Sequence, residues 1–298
     1  MRKLYIGNKN YSSWSMRPWV LMKQAGIDFE EVMVRFGEDF GEDSQFKKTM
    51  GTLSPTALVP LLVDGDIKVW DTLSIVEYLA ETCPDKMLWP QAAAQRAQAR
   101  SICAEMHAGF RALRGACTMN IEADLSVQGA IIWRDNAGVR ADVQRIIDMW
   151  SELLAAHAGS HPDGLLFGRF TAADAYYAPV VMRFARYALP VPEPIRAYMQ
   201  RVQGLPGVKA WIDAALLEKD FVVMDEPYRI SRDWTGQSAQ RPTEQERGGP
   251  ARQGSAAFHW ARNSFRSDRS RPRRARSDRA SGWLRWCPAA RRWPRWWW

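Results

Sequence analysis

Ser54-Pro55-Thr56-Ala57-Leu58-Val59-Pro60-Leu61-Leu62-Val63-Asp64-Gly65 leads through residues 67–70 into Asp71-Thr72-Leu73-Ser74-Ile75-Val76-Glu77-Tyr78-Leu79. Two short apolar runs, 60–63 and 67–70, flank Asp64-Gly65. That pair is a strong hairpin signal, because the tight turn between paired strands needs residues that tolerate positive φ. Asp71 or Thr72 can cap a helix running to about Thr82, with Leu73, Val76 and Leu79 on one face, and Pro84 ends it. Upstream, residues 3–7 read as a short apolar strand. Residues 14–25 carry helical spacing at Met16, Trp19, Val20 and Met22, and Gly26 stands where a C-terminal cap belongs. Residues 29–34 read as a second strand. The order is β-α-β, an irregular stretch, then β-β-α, which suits a small thioredoxin-like α/β sheet over residues 1–83.

After a linker at 84–90 the strand period disappears. Ile102, Met106, Phe110, Leu113 and Cys117 step by three or four along one stripe of a long helix, and Val143, Ile146, Ile147, Trp150 and Leu154 make another. Thr171-Ala172-Ala173-Asp174 has the spacing of a capping box, with Asp in place of the usual Glu. Shorter helices fit 193–203 and 208–217, and 220–233 reads as extended. Residues 91–225 are therefore expected to form an all-helical second domain.

The chain has 298 residues, a prior of about two domains, and its 46% hydrophobic and 25% charged residues describe a globular protein with a real core. No run of apolar residues is long enough for a membrane span. The N-terminus turns polar at Asn8-Lys9-Asn10 and lacks the apolar core of a signal peptide. None of the four cysteines, Cys83, Cys103, Cys117 and Cys287, forms a CxxC pair, and the histidines complete no zinc pattern. That argues against a disulfide framework or a metal and fits a reducing cytoplasm.

The net charge of +8 belongs to the tail. Residues 236–298 hold 15 Arg, no Lys and four acidic residues, a net of +11. The first 235 residues keep 26 of the 41 basic and 29 of the 33 acidic residues, a net of −3. The tail also holds seven of the fifteen Trp and no Val, Ile, Met or Tyr, so it is expected to be disordered. Its codons are mostly GC-rich types, and it reads as an out-of-frame extension. A nucleic-acid or anionic-lipid role would rest on this tail alone.

The chemistry concentrates in Asn10-Tyr11-Ser12-Ser13-Trp14-Ser15-Met16-Arg17-Pro18-Trp19, between the first strand and the first helix. A helix N-terminus presents unpaired N–H groups and partial positive charge, which favour an anion. Hydroxyls there can donate to the same anion or simply cap the helix. Pro18 is expected in the opening turn, where a proline is tolerated.

Together with Val59-Pro60, the hairpin and Asp71-Thr72, this segment resembles the glutathione S-transferase family, over about residues 3–225. Ala175-Tyr176-Tyr177-Ala178-Pro179-Val180-Val181 resembles the second domain of that family, and Ser12-Ser13-Trp14-Ser15-Met16-Arg17 is most similar to its zeta-type branch, which includes maleylacetoacetate isomerases. The resemblance implies a two-domain glutathione transferase, cytoplasmic and homodimeric, with glutathione as co-substrate and no metal. Ser12 would donate to the glutathione sulfur, with Ser13 and Ser15 as neighbours that can substitute. Val59, before a Pro60 that the family holds cis, would pair with the cysteinyl backbone. Asp71 and Thr72 would grip the γ-glutamyl end, and Arg17, Lys47 or Lys48 a carboxylate. Tyr11, Trp14, Met106, Phe110 and Tyr177 are the candidate walls of the electrophile site. Trp14 stands where the zeta motif commonly has Cys, and Leu58 where Lys or Gln often stands. Two alternatives stay open. One is isomerisation of a dienoic diacid, which would need Arg183 or Arg186 to face the cleft. The other is a non-catalytic member that binds glutathione or a protein partner.

Overall fold

The computed structural model describes residues 1–37, 41 and 43–233. The tail expected to be disordered lies outside the described residues.

Strand β1 (Lys3–Ile6) is followed by helix α1 (Ser13–Ala25) and by β2 (Glu30–Met33), which pairs with β1 in parallel. Strands β3 (Leu61–Asp64) and β4 (Ile67–Val69) form the expected hairpin. β3 also pairs antiparallel with β1, giving a mixed sheet ordered β2-β1-β3-β4. Asp64 anchors the turn, accepting from Arg2 Nε at 2.8 Å and from the Tyr78 hydroxyl at 3.1 Å. Helix α3 (Thr72–Thr82) starts at Asp71, whose carboxylate accepts from the Leu73 N–H. Helix α1 ends at Gly26 in the left-handed conformation. α1 packs against β1 and α3 and also against the helices at Ala172–Arg186 and Pro206–Leu217, so it joins the sheet to the helical part.

Between β2 and β3 the irregular stretch contains a further helix, α2 (Gln45–Gly51), capped by Ser44 Oγ, with Phe46 and Met50 one turn apart and buried. Ser44 followed by an apolar pair at that spacing was the available signal.

The helical part comprises α4 (Ala93–Ala108), α5 (Arg111–Ala116), α6 (Ser126–Asp135), α7 (Ala137–Ala156), α8 (Ala172–Arg186), α9 (Glu193–Gly204) and α10 (Pro206–Leu217). The stripe from Ile102 to Cys117 belongs to two helices rather than one. The Gly109 N–H closes onto the Glu105 carbonyl, and Phe110 turns to φ +53. A Cβ at Gly109 would lie 2.7 Å from that carbonyl oxygen, so only glycine closes the chain so tightly. The apolar stripe survives the break because both helices bury it in one core. Trp150 sits at the centre of that core, ring to ring with Tyr177, Phe184 and Tyr198 at 5.0–5.6 Å.

The capping box forms as its spacing predicts. Asp174 Oδ2 accepts from the Thr171 N–H at 2.9 Å and from the Thr171 hydroxyl at 3.1 Å. Its Oδ1 accepts from the Leu166 N–H and the Tyr198 hydroxyl, tying α8 to the preceding loop and to α9.

Pro18 departs from its expected place. α1 begins at Ser13, which puts Pro18 in the second turn. A proline there leaves the Trp14 carbonyl without its helical donor. The Thr72 hydroxyl, at the start of α3, approaches that carbonyl at 3.4 Å.

α6 presses on the end of α8. A Cβ built at Gly129 would stand 1.8 Å from the Tyr187 carbonyl oxygen. Gly129→Ala is therefore expected to force α6 outward and cost about 1–3 kcal/mol, as overpacking does. Thermal denaturation checks this, and an unchanged midpoint would contradict the contact. Among the described residues, no helix is long and apolar enough to cross a membrane.

Candidate active site

The loop from β1 to α1 makes a tight turn in which the Tyr11 and Ser12 N–H groups both reach the Asn8 carbonyl. This places Ser12 as the residue before α1, yet its side chain makes no capping bond to the helix. Its hydroxyl lies 2.7 Å from Ser15 Oγ, which also accepts the Gly7 N–H at 3.2 Å. The helix start therefore keeps its partial positive charge beside a hydroxyl that is not used as a cap.

Ser13 is committed inward. Its Oγ accepts from Arg183 Nη2 at 3.3 Å, and its carbonyl accepts from Arg17 Nη1 at 2.9 Å. Arg17 also donates from Nε to the Tyr176 carbonyl and stacks on the Trp14 ring, 4.2 Å from its centroid. Arg17 and Arg183 are both buried, and burial draws both guanidinium pKa values down. Arg114 also stacks on Trp14, at 4.9 Å, so two guanidiniums attend one indole.

At the start of α3, Asp71 Oδ2 lies 3.2 Å from His107 Nε2, and His107 Nδ1 lies 2.8 Å from the Tyr176 hydroxyl. With Nε2–H given to Asp71, Nδ1 is left to accept the tyrosine proton. This hydrogen bond holds the Asp71 carboxyl below its ordinary range. The His107 ring also lies 5.1 Å from Trp14.

Val59–Pro60 is a cis peptide, and so is Trp70–Asp71. Val59 packs on a small apolar cluster that includes Tyr11, Phe36, Phe46 and Leu61.

The sequence-predicted residues divide into two groups. Ser12, Ser13, Ser15, Trp14, Arg17, Asp71 and Thr72 come together around the start of α1, and Val59 packs on the apolar cluster that includes Tyr11. Met106, Phe110 and Tyr177 lie inside the helical core, where the Tyr177 hydroxyl donates to the Ile102 carbonyl. Tyr11 is likewise buried, its hydroxyl bonded to Glu226 Oε1 at 2.8 Å. Lys47 is buried on α2. Arg183 is buried against Ser13 and the Cys117 carbonyl, and Arg186 lies beside Asp124. Sequence reasoning missed His107, Arg114, Tyr176, Glu218 and Glu226. No local pattern marks them, because each acts across a long separation in the chain. Among the described residues, no cluster of His, Cys, Asp or Glu could hold a metal ion.

The family model for the glutathione S-transferase N-terminal domain matches residues 11–82, and that for the C-terminal domain matches residues 91–214. The chain belongs to the glutathione S-transferase family. Among curated glutathione transferase relatives, Glutathione S-transferase Z1 of Arabidopsis thaliana is 28% identical over 180 residues, covering 58% of this chain and 75% of that protein. Maleylacetoacetate isomerase of Rattus norvegicus is 28% identical over 184 residues, covering 62% and 78%. The theta class glutathione S-transferase of Xanthomonas axonopodis pv. citri, solved with glutathione bound, superposes with a TM-score of 0.52 at 24% identity, covering 72% of this chain and 98% of that one.

Proposed function

We propose that this chain is a glutathione transferase in which Ser12 steadies the thiolate of bound glutathione for addition to, or substitution on, a small hydrophobic electrophile. The observation that carries this reading is the uncapped start of α1 with the Ser12 hydroxyl beside it. A free thiol has a pKa of about 8.5, so little is thiolate at neutral pH. A hydrogen bond to the anion, about 1.5–3 kcal/mol, lowers that value by roughly one to two units. The serine pair can supply the proton. In the structure the Ser12 hydroxyl donates to Ser15 Oγ, which also accepts the Gly7 N–H, and turning that one proton from Ser15 to the sulfur supplies the hydrogen bond. The thiolate then attacks the electrophilic carbon, and no metal is required. Asp71 would hold the glutathione ammonium, the backbone of Val59 the cysteinyl unit, and the exposed part of Trp14 the electrophile. A homodimer in the cytoplasm, with detoxification as the role, completes the proposal.

The isomerase reading is supported by the similarity to isomerases such as that of the rat. A diacid needs a cation beside it. With Arg183 buried and Arg186 beside Asp124, that cation would be Arg114, stacked on Trp14.

The test is turnover of glutathione with a chlorinated nitroaromatic and with maleylacetoacetate, beside calorimetry of glutathione binding. Conjugation of the nitroaromatic supports the transferase reading. Activity on the diacid alone promotes the isomerase, binding without any turnover promotes the non-catalytic member, and absence of binding overturns all three.

His107 supports Asp71, so His107→Ala is expected to raise the KM for glutathione about 2–5-fold with kcat nearly unchanged, the size of one partly exposed hydrogen bond. An unchanged KM would remove His107 from the site.

A further inference from the structure

The segment that follows α10 lies beyond residues 91–214, the part matched by the C-terminal family model. It is irregular apart from one tight turn at Val223–Asp225. It nevertheless supplies two carboxylates to the loop that carries Ser12. Glu218 accepts the N–H groups of Lys9 at 2.9 Å and Asn10 at 3.2 Å. Glu226 Oε1 accepts the Tyr11 hydroxyl at 2.8 Å. Glu226 is itself fixed, by Asn120 Nδ2 at 2.8 Å and by the guanidinium of Arg229. Tyr11 is 2% and Glu226 4% exposed, so this hydrogen bond is shielded from water. The Asn10 side chain accepts the Ile121 and Glu122 N–H groups, both at 2.9 Å.

Each residue from Lys9 to Tyr11 is thus bonded to residues that lie more than a hundred positions away. Ser12 is the next residue. Its N–H shares the Asn8 carbonyl with the Tyr11 N–H, so any rotation of the turn that follows loss of the Tyr11 bond moves the Ser12 hydroxyl.

We propose that Glu226 is a positioning residue for the transferase reaction, acting through the Tyr11 hydroxyl to set the direction of the Ser12 hydroxyl toward the glutathione sulfur. This rests on the reading of Ser12 given above. A merely structural bond would change stability alone, whereas a positioning bond changes how well the thiolate is held.

The experiment compares wild type, Tyr11→Phe and Glu226→Gln in the full chain. The pKa of the bound glutathione thiol is read from ultraviolet thiolate absorbance against pH, beside kcat, KM and the thermal midpoint. Tyr11→Phe keeps the ring and removes the hydroxyl's bond to Glu226, together with its longer contacts to the Asp220 carbonyl at 3.4 Å and the Val222 N–H at 3.5 Å. It is expected to raise the bound thiol pKa by about 0.5–1 unit and lower kcat at neutral pH by about 3–10-fold, with the glutathione KM nearly unchanged. Glu226→Gln keeps an acceptor for Tyr11 and loses the charge that Arg229 holds, so it should shift both quantities the same way by less. A lowered midpoint with wild-type thiol pKa and kcat in Tyr11→Phe would overturn the proposal. If Tyr11→Phe fails to fold, the same readings on Glu226→Gln decide. A wild type that binds glutathione without a thiolate signal would instead overturn the reading of Ser12, before any variant is made.

Discussion

Asp174→Ala is expected to destabilise the fold by about 3–5 kcal/mol, a large part of the total for a domain, and to reduce the yield of folded protein sharply. The carboxylate is fully buried and accepts four hydrogen bonds, from two N–H groups and two hydroxyls. Alanine would strand all four donors where water cannot reach them, and it would remove the N-terminal fastening of α8. Asp174→Asn keeps the shape and separates the charge from the contacts. Burial pushes the Asp174 carboxyl up from 3.8 to about 6, although its hydrogen bonds pull the other way. A carboxyl whose pKa rises on folding binds its proton more tightly in the folded state. Its contribution is therefore greatest below the unfolded pKa and is lost as pH rises through the folded one. The full swing is roughly 3 kcal/mol. The stability advantage of wild type over Asp174→Asn should shrink between about pH 4 and pH 6 and stay flat above pH 7. Thermal unfolding across that range measures it, and an advantage that grows with pH would refute the burial account.

Ser12→Ala is expected to lower kcat/KM by about 10–100-fold, the worth of one hydrogen bond to a sulfur anion. The thiol pKa of bound glutathione should rise toward its free value. Ser13→Ala should do far less to that pKa, because the Ser13 hydroxyl faces Arg183. Ser15→Ala should fall between them, since Ser15 Oγ accepts the Ser12 hydroxyl and so orients it. If Ser12→Ala kept full activity while Ser13→Ala lost it, the role would pass to Ser13.

What was legible in the sequence was local. Asp64-Gly65, Gly26 and Thr171–Asp174 each specify a turn or cap through their own backbone chemistry, and the structure forms all three. The serine cluster could be placed at the start of α1, but not the direction of each hydroxyl, which Gly7 and Arg183 decide from outside the motif. The helical stripe from Ile102 to Cys117 hid a break, because the period counts apolar residues and does not register a backbone closing at Gly109. Met106 and Phe110 stand on an apolar stripe whose spacing is that of any packed helix, and the structure buries both of them, with Tyr177, in the core. His107 on Asp71 and Glu226 on Tyr11 had no local signal, being pairs that the tertiary fold alone brings together.

The span between Tyr11 and Glu226, 215 positions, also sets an order of events during synthesis. The serines leave the ribosome long before Glu226 does, and they must wait for that segment to follow before their scaffold closes over them. A newborn protein of this kind would hold a folded sheet and most of its helices before it held a competent nucleophile site, so maturation of activity should trail compaction.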